Sequence, residues 1–315
     1  MRRILLIGGV FALFLMYCSN TTEPDEGFEA QNSDFANYSS WEMIDYNVAP
    51  TATISGGAHQ GQSAEFARAV YASEDRNMDG TYSEGAILVK EVFTFDENGD
   101  KQYADGTGLL AMVKRGGEFN QDNGGWEYFL LDPNNSTITG RGAELNNGGC
   151  QSCHASAAQD FVFEHPVAYD PTVPDVAANW TSWFKIDSTR GPDPAGLLSN
   201  FAHGADTTFD RIVYTNTQAF QPMDGVYPTG TVIVKELRDK DTGDLVGSVT
   251  MLVKRGGDFN PDGNGWEWVM ATPDLATVQA QGGNNDQSTA GCVGCHAGAN
   301  SNDNGVDWVF THPRP

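Results

Sequence analysis

Three short runs, "GAILVKEVFTF", "GLLAMVKRGG" and "GWEYFLLD" (residues 85–95, 108–117 and 125–132), gather apolar positions over strand-length stretches rich in β-branched and aromatic residues. Turn chemistry bounds each of them, with "DENGD" (96–100) between the first two. The pattern predicts an antiparallel meander of at least three strands. "DENGD" has part of a calcium-loop signature but lacks the glycine and the distal glutamate at the required places, so a hairpin turn is expected. "SAEFARAVYAS" (63–73) reads as a helix or a helix-to-strand junction. The fold class expected is α+β, mainly antiparallel β, with a few short helices.

The whole pattern then recurs. "SSWEMID" (39–45) answers "TSWFKID" (181–187), and "FARAVYAS" (66–73) answers "FDRIVYTN" (209–216). "ILVKEV" (87–92) answers "VIVKEL" (232–237), and "AMVKRGGEFNQDNGGWEYF" (111–129) answers "MLVKRGGDFNPDGNGWEWV" (251–269). Two tandem homologous domains are implied, 39–170 and 180–315, joined by a linker at 171–179. The repeat is also an internal control. All six histidines pair across it (His59 with His203, His154 with His296, His165 with His312), whereas no methionine has a convincing counterpart.

The first residues change the picture of where the chain works. Arg2 and Arg3 precede an apolar run from Ile4 to Met16, which reads as an export signal over 1–17 and is too short for a comfortable membrane span. Cys18 follows and is the candidate for lipid attachment, with ordinary signal cleavage as the alternative. Residues 18–38 read as a flexible tether, and the expected location is periplasmic or cell-envelope. The formal charge is −24. That disfavours nucleic acid and anionic lipid as partners and suits a basic redox protein, although acidity also simply keeps a protein soluble.

Four of the five cysteines lie in two Cys-x-x-Cys-His motifs, Cys150/Cys153/His154 and Cys292/Cys295/His296. This spacing attaches c-type haem: two thiols add to the vinyl groups and the adjacent histidine reaches the iron. A zinc ribbon would bring its two knuckles much closer in sequence, a thioredoxin-like pair would follow a βαβ pattern, and a plain disulfide needs no histidine. Two covalently attached c-type haems are therefore expected, with Cys150, Cys153, Cys292 and Cys295 as attachment points and His154 and His296 as axial ligands. Each motif closes its unit with no repeat-matched methionine after it, so an open distal face on each iron is expected. Helical-bundle cytochromes also carry the motif late, but they need long 3.6-period segments.

Strand-rich units ending in Cys-x-x-Cys-His, with "R-x-V-Y", "V-K-E", "V-K-R-G-G", "G-W-E" and "D-x-V-F" in that order, resemble the cytochrome P-460 and cytochrome c′-beta family. The resemblance spans about 39–166 and 181–313. It implies a mainly antiparallel haem fold, and an intramolecular pseudo-dimer of the two units. It also implies either the binding of small gaseous or nitrogen-oxide ligands such as nitric oxide, or hydroxylamine oxidation by a haem cross-linked to a strand lysine. The matching lysines are Lys90 and Lys235, and the matching distal arginines Arg68 and Arg211. A lysine on an apolar strand face must snorkel, pair or lose its proton. An arginine there binds a ligand or a propionate, or forms a surface salt bridge. The carboxylate that the resemblance leads one to expect on the next strand is replaced by Leu110 and Thr250, with Glu91 and Glu236 as possible substitutes. His59 and His203 stand as sixth ligands or as core residues, and His165 and His312 as propionate partners or closing residues. Trp126 and Trp266 are expected in the core or on a haem face.

Overall fold

The computed structural model describes residues 27–48, 59, 60, 63, 65–163, 169–190, 209–216, 222–301 and 305–310, the side chains of 187–190, 300 and 301 excepted. The signal segment, Cys18, His165, His203 and His312 lie outside the described residues.

The first unit runs α1 (Asn32–Phe35), β1 (Glu42–Asn47), β2 (Ala67–Ala72), β3 (Ile87–Phe95), β4 (Lys101–Tyr103), β5 (Leu109–Lys114), β6 (Trp126–Leu131), β7 (Ile138–Gly142) and α2 (Gly149–His154). Its sheet is an antiparallel meander ordered β1-β2-β3-β5-β6-β7, with β4 added beside β3. The second unit runs α3 (Val173–Val176), β8 (Phe184–Arg190), β9 (Phe209–Thr215), β10 (Val232–Asp239), β11 (Val249–Lys254), β12 (Trp266–Ala271), β13 (Val278–Gly282), α4 (Ala290–Ser301), β14 (Gly305–Val306) and β15 (Val309–Phe310). Its six-stranded sheet has the matching order β8-β9-β10-β11-β12-β13.

Within "SAEFARAVYAS", expected as a helix or a helix-to-strand junction, Ala67–Ala72 form strand β2, and every residue of that strand is buried. Sheet burial on both faces erases the alternation by which a strand is read. "DENGD" is a hairpin turn: the Asp96 carboxylate accepts the backbone N–H groups of Asn98 and Asp100, both at 2.9 Å. Residues read as a linker pack into the second core, where Val173, Val176, Ala177 and Trp180 are buried. The end of the expected tether does the same in the first, through Ala30, Phe35 and Tyr38.

Each sheet has two unlike faces. One carries the aliphatic and aromatic core, with Ile87, Val89, Phe93, Leu109 and Phe129 in the first unit. The other carries Ala72, Leu88, Met112, Trp126 and Tyr128, and it is here that Cys150 packs. Period-two alternation puts Glu91 on the core face, where it is 1% exposed. It accepts hydrogen bonds from Tyr38 (2.7 Å), Tyr103 (2.9 Å), Tyr71 (3.4 Å) and the Lys101 ammonium (2.6 Å). Burial and this carboxylate push Tyr103 up to about 12. Glu236 repeats the arrangement, accepting from Trp180 Nε1 and Tyr214 Oη at 3.1 Å and pairing with Arg238 at 2.6 Å. Neither glutamate reaches the cysteine face, so neither stands in for the missing strand carboxylate.

The units also touch. The backbone N–H of Thr229 donates to Tyr46 O and that of Val48 to Thr229 O, both at 2.7 Å. Thr229 thereby extends the edge of β1 by one bridge.

Glu91→Leu should cost the first unit about 2–4 kcal/mol, because it strands an ammonium and three phenols while adding little packing. Urea denaturation is the measurement; an unchanged midpoint would contradict the hub role.

Candidate functional site

Helix α2 opens on Gly148 and Gly149 and places Cys150 and Cys153 three residues apart, on one side of the helix. Both are free thiols and half-buried, as are Cys292 and Cys295 on α4. In the second unit the helix continues past the histidine to Ser301, whereas α2 ends at His154. Cys292 packs against the face formed by Ile233, Leu252 and Trp268. Burial raises the pKa of Cys150 and of Cys292. Among the described residues no group of three or more His, Cys, Asp or Glu could hold a metal ion.

The histidines are oriented alike. His154 Nδ1 lies 2.9 Å from the Phe161 carbonyl and His296 Nδ1 2.8 Å from that of Trp308. A carbonyl only accepts, so Nδ1 carries the proton and Nε2 keeps its lone pair for a metal. Both carbonyls belong to loops with left-handed backbone: Asp160 has φ 48° and Phe161 58°, Asp307 50° and Trp308 66°. What holds them is an ion pair, part-buried in the first unit and buried in the second. Asp160 pairs with Lys114 and accepts the Tyr82 N–H at 2.7 Å, while its carbonyl accepts Trp126 Nε1 at 2.7 Å. Asp307 pairs with Lys254 at 2.7 Å and accepts Tyr227 N–H (2.8 Å) and Asn264 Nδ2 (2.5 Å). The lysine of "VKRGG" is therefore a tie to the loop behind the axial histidine. Its neighbouring arginine pairs instead with the glutamate of "GWE", Arg115 with Glu127 at 3.3 Å and Arg255 with Glu267 at 2.6 Å.

Strand register assembles the opposite wall. Lys90 stands directly between Val70 and Leu110, and Lys235 between Val213 and Thr250. Leu88 shares the Lys90 face and packs in the Cys150 cluster, so Lys90 belongs to the cysteine side. Burial lowers the Lys90 pKa to about 8, the Asp45 charge opposing the shift and the Arg68 charge adding to it. Arg68 is not a surface residue: it is 1% exposed, and burial lowers its pKa to about 10. It donates from Nε to His59 O (3.0 Å), and from Nη2 to Ser63 O (2.7 Å) and Gln60 O. Arg211 is likewise buried.

One functional candidate was not legible in the sequence. The β1–β2 register slips between Met43 and Asp45, and the β8–β9 register slips at the same place, between Lys185 and Asp187. Each bulge moves an aspartate into register with Val70 or Val213, in line with Lys90 or Lys235. Asp45 is 3% exposed and accepts a hydrogen bond from Asn47 Nδ2 at 2.7 Å. Strict alternation places it on the core face with Met43. The second missed pair is Asp160 and Asp307, whose only signal was the repeated acid of "D-x-V-F".

A haem fits between these walls. Helix-borne thiols and a histidine whose Nδ1 faces a backbone carbonyl lie on one side, and Lys90 and Arg68 on the other. On this side of the first unit Tyr128 Oη, His59 Nδ1 and Arg68 Nη1 are buried without a hydrogen-bond partner, and in the second unit Trp268 Nε1 is, as expected beside a group with its own polar edge. Trp126 and Trp266 are both 0% exposed.

A family model described as Cytochrome P460 matches residues 35–164 and 177–311, one copy in each unit. No curated protein matches the chain.

Two measurements follow from this geometry. Lys90 has a folded pKa below its unfolded one, so the folded chain binds fewer protons between about pH 8 and 10.5 and this group adds stability as pH rises through that window. Lys90→Met should therefore be more stable than the parent at pH 7, with the difference shrinking by about 1–3 kcal/mol toward pH 10.5 in paired denaturation curves. Asp160→Asn should speed amide hydrogen exchange in the 155–163 loop while the β3 and β5 amides stay protected; equal exchange in both proteins would refute the tie.

Proposed function

Because the chain belongs to the cytochrome P460 family and is a haem cytochrome, we propose that it is an exported c-type cytochrome with one covalently attached haem per unit. Its haems bind small nitrogen oxides such as nitric oxide on the side opposite the axial histidine, pass electrons, or do both. The observation that carries this reading is the matched geometry of His154 and His296, each held at Nδ1 by a carbonyl beside two free, half-buried cysteines. When bound, haem supplies the iron that takes the small ligand or the electron. The protein's own part is separable. Cys150, Cys153, Cys292 and Cys295 attach the macrocycle, His154 and His296 are its axial donors, and the Asp160 and Asp307 loops keep those imidazoles in the right tautomer. Arg68 and Arg211 set a guanidinium against bound ligand or propionate.

The export signal, a lipid anchor at Cys18 and a periplasmic or cell-envelope site complete this reading. No helix among the described residues is long and apolar enough to cross a membrane. A basic redox partner is favoured by the −24 charge.

A second reading, hydroxylamine oxidation with a lysine–haem cross-link, is favoured by two observations. Lys90, with a pKa near 8, is partly a neutral, nucleophilic amine at neutral pH. Asp45, in line with it, provides a carboxylate that can take up a substrate proton.

Intact mass and spectra of the matured protein decide. Two porphyrins added and a plain c-type Soret band that shifts with nitric oxide support the first reading. A ferrous Soret band far to the red, abolished in Lys90→Ala, supports the second, with hydroxylamine turnover falling about 10²–10³-fold in Asp45→Asn. No porphyrin on either unit sinks both.

A further inference from the structure

The first unit holds a second histidine beside the axial one. The rings of His59 and His154 have centroids 6.3 Å apart and planes at 89°. Two imidazoles on opposite sides of one metal, each with a metal–nitrogen bond of about 2.0–2.1 Å and a centroid about 1.1–1.2 Å behind its nitrogen, have centroids about 6.2–6.6 Å apart. The observed spacing falls in that interval.

His59 is not placed as an ordinary core histidine. Its Nδ1 is buried and has no hydrogen-bond partner. Its backbone is left-handed, with φ 52°, and that of Gln60 follows at 53°. Two successive non-glycine residues in this region are strained, and strain persists only where the surroundings fix it. Here the fixing group is Arg68, which reaches from the middle of β2 to three carbonyls of the loop, those of His59, Gln60 and Ser63. A fully buried guanidinium is thus spent on holding this loop over the cysteine face. The charged groups facing His59 are Lys90 and Arg68. In the sequence His203 and Arg211 answer His59 and Arg68 across a one-residue gap, His203 lying outside the described residues.

We propose that His59 is the second axial ligand of the first unit's haem. This rests on the haem reading above and changes it for the first unit, whose side opposite His154 is then filled by His59 and not open. The first unit is then a bis-histidine electron-transfer centre, and nitric oxide reaches its iron only by displacing His59. Arg68 is the positioning residue that holds the ligand loop, so its orphaned Nη1 and its three carbonyl contacts belong to one device.

The test uses the matured full-length chain. Ferric electron paramagnetic resonance should show a low-spin, two-nitrogen species accounting for at least one of the haems. In His59→Gln that species should become high-spin, and nitric oxide should bind the reduced protein on the order of tenfold faster or more. Imidazole added to His59→Gly should restore the low-spin signal, which a merely structural role would not produce. If both haems of the parent are high-spin, the proposal falls without any variant. It falls equally if His59→Gln carries both haems with an unchanged low-spin fraction. A chain that carries no haem would instead overturn the underlying reading, so the two failures are distinguishable.

Discussion

A lysine–aspartate pair buried under the cysteine helix organises each half of this protein. Lys114 with Asp160, and Lys254 with Asp307, are charges removed from water that persist because each carboxylate also accepts backbone or side-chain N–H groups. Removing either partner would leave the other uncompensated. The pair ties the central sheet to a loop whose left-handed backbone turns a carbonyl toward the axial histidine. The strands, the turn and the imidazole of the cysteine motif are in this way one mechanical unit. The Asn120 and Asn260 side chains support it from below, each donating to the carbonyl of the tryptophan that the lysine overlies, at 2.8 and 2.7 Å.

The sheet separates two kinds of buried polarity. On the core face Glu91 and Glu236 are saturated by phenols, an indole and neighbouring cations, which leaves them nothing to do in chemistry. On the cysteine face the polar groups are undersaturated, and these are the groups that invite a cofactor: Tyr128 Oη, Trp268 Nε1, His59 Nδ1 and Arg68 Nη1. Adjacent residues of one strand, Lys90 and Glu91, thus serve opposite purposes because pleating sends them to opposite sides. The P460 family match spans both halves, so the division is built twice. The bridge between Asn47 and Thr229 joins them next to Asp45, at the rim of the first site.

The amino-acid sequence by itself determined the tandem repeat, the strand-rich class, the two cysteine-histidine motifs and the shared face of Lys90 and Leu88. Each depends on spacing along the chain: a fixed offset between copies, three residues between thiols, two between side chains on one strand face. Only the tertiary structure decided what depends on displacement from regular spacing or on long-range pairing. A bulge after Met43 reverses the face of Asp45, and no periodicity foretells where an extra residue enters a strand. Strand β2 is buried on both faces, so its pattern carried no period to read. Asp160 finds Lys114, and Arg68 finds the His59 loop, across segments whose approach is fixed by sheet order rather than by local preference. Local chemistry follows from sequence neighbours; a wall of charges facing a histidine exists only after the chain has closed.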